Sequence, residues 1–121
     1  MALLEIFESQ LATHNIKWCR GCESYNGHKR GFATTKDRTV HYDSKIATRG
    51  TLLGGLHEIG HIVANTPGMK RWMREASAEE WAVKTIRQFG ISVPRKAHSD
   101  GRKYIARMKR WGKNISAGRK S

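Results

Sequence analysis

At 121 residues the chain is long enough for one domain with a modest core and too short for two, and 38% apolar residues suit a globular chain with a broad polar surface. The net charge of +13 sits at one end: residues 1–83 hold 11 Lys/Arg against 9 Asp/Glu, while residues 84–121 hold 12 against Asp100 alone, a field that attracts anionic partners. The longest apolar run, Leu52 to Leu56, is cut by His57, and no basic segment precedes Glu5 and Glu8, so no membrane span or secretory signal is expected and the expected address is cytoplasmic.

Residues 2–14 read as an amphipathic helix with Leu3, Leu4, Phe7 and Leu11 on one face. Asn15 to Trp18 can begin a short strand. Cys19 and Cys22 form a CxxC, but the polar residues after it read as a turn, whereas a redox pair needs its thiolate at a helix start. Two ordinary thiols are the favoured reading, and half of a second zinc site that includes His28 is the alternative. Residues 23–31 read as a loop. Gly31 to Thr35 and Arg38 to Tyr42 read as a hairpin turning at Lys36 and Asp37. Thr48 or Thr51 can cap the next helix, which carries Leu52, Leu53, Leu56, Ile59, Ile62 and Val63 and stops at residues 65–68. A second long helix is expected over residues 69–89, closed by Gly90 and followed by an extended Ile91 to Pro94.

A last helix over residues 101–112 puts Tyr104, Ile105, Met108 and Trp111 on one face, with residues 114–121 frayed. Its other face carries Arg102, Lys103, Lys109, Arg110 and Lys113. The expected fold is therefore α+β: a small antiparallel sheet packed on two helices, with a basic helix last. One domain spans 1–121, with a minimal core of 32–94 and a basic extension of 95–121.

The chemistry lies in His57-Glu58-Ile59-Gly60-His61, an HExxH. Residues four apart stand one above the other on a helix, so both imidazoles can reach one ion, and Glu58 is near enough to take a proton from water. Catalytic zinc has three protein ligands, so a third is required. Glu75, Glu79 and Glu80 compete. On one helix Glu75 and Glu79 share a face with Ala78, Ala82, Ile86 and Phe89, while Glu80 points about 140° away. Small residues at Ala78 and Ala82, and at Gly60 or Gly54 opposite, allow the two helices to approach closely. Ser77-x-x-Glu80 is a rival signal, a capping box that would leave Glu75 in a loop, but Trp72 extends the same apolar stripe and favours the longer helix.

Leu56 to Ile62, followed by Glu75-x-x-Ala78-Glu79-x-Trp81-Ala82, resembles the ImmA/IrrE family of small gluzincin metallopeptidases, common in phages and mobile elements, over roughly residues 38–94. The resemblance implies a zinc-dependent endopeptidase of a bacterial or phage-infected cytoplasm, acting on a protein substrate such as a DNA-bound regulator. It implies Zn2+ held by His57, His61 and Glu75, Ala78 as a packing residue, Glu58 as the catalytic base, and Glu79 supporting a ligand histidine, where an aspartate is more usual. The strand around Val40 to Tyr42 could pair with an extended substrate. His41, His98 and Tyr104 are the candidates for an oxyanion stabiliser. The competing function class is a nucleic-acid-binding accessory protein, in which Arg102, Lys103, Lys109, Arg110 and Lys113 meet phosphates and the zinc site is structural or vestigial.

Overall fold

A computed structural model describes residues 2–20 and 31–119, with side chains of the last helix described as far as Trp111. The elements run α1 (Leu3–Thr13), β1 (Lys17–Cys19), β2 (Phe32–Thr34), β3 (Thr39–His41), α2 (Arg49–Val63), α3 (Arg71–Gln88) and α4 (Arg95–Arg119). The fold is α+β. The loop expected at 23–31 and the ligand considered at His28 lie almost wholly outside the described residues.

Helix α1 buries Ile6, Phe7 and Leu11 while Leu4 is exposed, so its buried face is rotated from the expected stripe towards Ile6. Asn15 reverses the chain at φ 54°, a conformation asparagine tolerates, and β1 follows at once. The sheet has the order β1-β3-β2. The hairpin is antiparallel, with Ala33 opposite Val40, but β1 joins β3 in parallel, with Trp18 opposite Val40. The sheet is therefore mixed rather than antiparallel, and β3 is its central strand. Val40 is fully buried, and the edge of Phe7 meets the Trp18 ring at 4.8 Å. The Trp18 indole donates to the Tyr42 carbonyl at 3.0 Å, tying the sheet's end to α1.

Cys19 is disulfide-bonded, which corrects the expectation of two ordinary thiols. The chain's other cysteine, Cys22, lies outside the described residues.

Thr48 caps α2. Its hydroxyl accepts from the Thr51 amide at 3.1 Å, and the Thr51 hydroxyl accepts from the Thr48 amide at 2.9 Å. Leu52, Leu53, Leu56 and Ile59 then form the centre of the core against Phe7, Val40 and Ile86. Helix α3 runs straight through Ser77, so the rival capping box does not start a helix, and Gly90 closes it at φ 75°.

The last helix differs most from expectation. It starts at Arg95, six residues before the expected residue 101, and continues to Arg119 rather than fraying from 114. Pro94 explains the early start: its fixed φ suits a helix entrance, and its carbonyl accepts the His98 amide at 3.0 Å. Met108 is buried and Ile105 half-buried, but Tyr104 and Trp111 are exposed, so the expected apolar face is only partly used. Among the described residues no helix is long and apolar enough to cross a membrane.

Candidate metal centre

His57 and His61 stand one turn apart on α2 with their Nε2 atoms 3.2 Å apart. Glu75 of α3 places Oε2 3.3 Å from His57 Nε2 and also contacts His61 Nε2. The three candidate donor atoms all lie within 4.8 Å of one another. A tetrahedral zinc site with bonds of about 2.0–2.1 Å has ligand–ligand edges of roughly 3.3 Å, which the His57–His61 and His57–Glu75 spacings match.

Close helix packing makes this possible. A methyl group on Gly60 would lie 2.6 Å from the Ala78 carbonyl oxygen, so only glycine lets α3 come this near. Gly54, the other glycine considered for this role, faces the Tyr42 hydroxyl instead. Glu75 and Glu79 fall on the α3 face turned to α2, and Glu80 is exposed on the far side.

The nitrogens facing away from the cluster are also held. His57 Nδ1 lies 3.1 Å from Glu79 Oε1, and the other oxygen of Glu79 is 2.9 Å from His98 Nδ1 on α4. His61 Nδ1 lies 2.9 Å from Asn65 Nδ2. If Nε2 binds a cation, Nδ1 carries the proton and needs an acceptor. The Asn65 Oδ1 is buried without a partner, and turning the amide over presents that oxygen to His61. That rotation gives the His61 Nδ1–H an acceptor, and it is the rotation a metal-binding tautomer requires.

Burial works against the His57 imidazolium, but hydrogen bonds to Glu75 and Glu79 outweigh it and push its pKa up to about 10. Burial likewise opposes ionisation of Glu75, and its contacts with His57 and His61 more than reverse this, holding it well below the usual carboxylate range. Glu79 is lowered for the same reason, with burial opposed by His57 and His98. The cluster is built to hold positive charge. Glu58 differs: burial raises its pKa, and the two histidines only partly offset that. It lies beside the start of β2, where a methyl group on Gly31 would come within 3.2 Å of its Cγ.

The remaining candidates are scattered. His98 is bound to Glu79 behind His57, so it does not face a scissile carbonyl as an oxyanion stabiliser would. His41 stacks on Phe32 with ring centroids 4.2 Å apart, and Tyr104 is exposed on α4. Arg102, Lys103, Lys109 and Arg110 are all exposed on α4, and the side chain of Lys113 lies outside the described residues. Sequence reasoning missed Asn65, although residues 57, 61 and 65 share a helical spacing that could have revealed it. It also missed that His98 supports Glu79, for which no local signal exists. No protein-family model matches the chain, and no curated protein or solved structure matches it either.

Proposed function

We propose that the chain is a zinc-dependent metalloendopeptidase of the gluzincin kind implied by its ImmA/IrrE-like resemblance. Its proposed setting is the cytoplasm of a bacterial or phage-infected cell, and its proposed substrate is a protein such as a DNA-bound regulator. The observation that carries this reading is the convergence of His57, His61 and Glu75, with the outer nitrogens of both histidines held by Glu79 and Asn65. A Zn2+ ion held by these three side chains would supply Lewis acidity to a scissile carbonyl and to water.

Glu58 accepts the proton of the attacking water and returns it to the leaving amine. Burial favours that role, because a raised carboxyl pKa brings the base closer to working pH. β3 is central and cannot take the substrate as an added strand, which removes the Val40 to Tyr42 pairing. Among the described residues β2 lies at the sheet's edge next to Glu58, so an extended peptide can pair beside it with its scissile bond near the base.

The test is metal content and cleavage measured on the same preparations, with helix-turn-helix repressors and a denatured protein as substrates. Glu58→Gln should keep one zinc per chain and lose cleavage by at least about 100-fold. His57→Ala, His61→Ala and Glu75→Ala should each lose most of the zinc, while Glu80→Ala keeps it. Cleavage by zinc-loaded Glu58→Gln rejects the base, and loss of zinc from Glu80→Ala but not Glu75→Ala rejects the ligand set.

A further inference from the structure

Helices α3 and α4 do not close against each other along their outer seam. Between them runs a groove of about 640 Å3 that continues into a second hollow of about 560 Å3, the two sharing Arg87, His98, Arg102 and Ala106. Its floor is apolar, made by Val83 of α3 with Ile105 of α4, and the exposed Ala106 of α4 lines it beside them. Its rim is cationic on both sides, with Lys84 and Arg87 on α3 and Arg102 and Lys109 on α4.

All four rim side chains are exposed, and none forms an ion pair among the described residues. The lining holds two acids: Glu79 is tied to His57 and His98, which leaves Glu80 as the one exposed carboxylate against four cations. Like charges in excess on both banks of an apolar channel repel one another, and an acidic occupant relieves that repulsion.

We propose that this groove docks an amphipathic helix of an acidic protein partner, with apolar residues on the floor and carboxylates against both rims. The shape favours a helix: Trp72 to Arg87 covers about 22 Å of α3, which matches about four turns of an incoming helix. Nucleic acid fits less well. A duplex presents a broad cylinder that would rest on the rims without reaching the floor. A single strand needs free aromatic faces, and the Trp72 ring is already covered by the Lys109 ammonium at 4.7 Å. The docking surface lies behind His57, on the Glu79 and His98 side, so it does not depend on the peptidase reading.

The probe is a stapled synthetic helix with leucines on one face and glutamates along both flanks, titrated against the full chain at about 50 mM and about 500 mM salt. It should bind saturably and more weakly at the higher salt. Arg102→Glu and Ala106→Glu should each weaken it by about tenfold or more, since one reverses a rim charge and the other sets a carboxylate in the apolar lining that both hollows share. Arg107→Glu makes the same change of net charge on a side chain outside the groove, and should stay within about twofold. Circular dichroism checks that each variant is folded; if Arg102→Glu is not, Lys84→Gln takes its place. Equal weakening by Arg107→Glu would reduce the effect to a general field. Equal binding of a peptide with its leucines scrambled off one face would remove the groove, as would no binding at the lower salt. Tighter binding of a labelled oligonucleotide, lost in the same variants, would assign the groove to nucleic acid.

Discussion

His61 can serve a cation through Nε2 only if its Nδ1 carries the proton, and that nitrogen faces the Asn65 amide at 2.9 Å. An amide can donate or accept by a half-turn, so Asn65 adapts to either tautomer. Groups that hold a metal ligand in this way typically change metal affinity by about 10–100-fold when removed. Asn65→Ala should therefore weaken zinc binding by about that factor, read by competition with a chromophoric chelator. Asn65→Asp, which keeps an acceptor, should recover most of it. Unchanged affinity in Asn65→Ala would show that His61 needs no such support. The sequence carried this information as a spacing, since residue 65 is one turn beyond 61, but Asn65 also precedes Thr66 and Pro67 and reads first as a helix stop.

Between elements the controlling contact is Gly60 against Ala78. The Ala78 Cα lies 2.9 Å and its carbonyl oxygen 2.6 Å from where a Gly60 methyl would sit, both too close for real atoms. Gly60→Ala must push α3 away from α2, and overpacking of this kind costs about 1–3 kcal/mol. The same displacement separates Glu75 from the two histidines. Urea unfolding should thus show a lower midpoint, and zinc content should fall together with it. A variant that loses stability but holds zinc normally would mean that the carboxylate follows the two histidines independently of the helix. Gly101 plays the corresponding part on α4, since a methyl there would come within 3.0 Å of Glu79 Oε2. A glycine inside a helix costs roughly 1 kcal/mol relative to alanine, and here it gives the carboxylate room to meet His98.

Across the whole molecule one chain of contacts joins three helices: Glu75 and Glu79 of α3 hold His57 of α2, and Glu79 also holds His98 of α4. In metal-free protein this chain makes stability depend on pH. The His57 pKa is raised from 6.5 to about 10 by its carboxylate partners, which outweigh burial. A raised pKa contributes stability that is fully present below the unfolded value and lost as pH rises through the folded one. Stability measured in urea with a chelator present should therefore fall between about pH 6.5 and pH 10. His57→Gln should flatten that dependence. A wild-type profile as flat as the variant's would show that the proton is not held by the cluster.

What the sequence by itself determined rests on local periodicity. Four-residue spacing stacks His57 on His61, and within one helix through Ser77 Glu75 and Glu79 share a face that Glu80 does not. Capping at Thr48, the stop after Val63 and the C-terminal turn at Gly90 are equally local, and so are the hairpin and its turn. The sheet is different. Whether β1 joins β3 in parallel is decided by where α1 lays Phe7 against Trp18, a packing choice that no short run of residues contains. The same holds for α4. Its sequence shows a basic amphipathic helix, but only the docked structure carries His98 to Glu79 and opens the cation-rimmed groove beside α3. Local spacing sets which side chains share a face, whereas contacts between residues far apart in the chain depend on how those faces pack, and packing is a property of the assembled core.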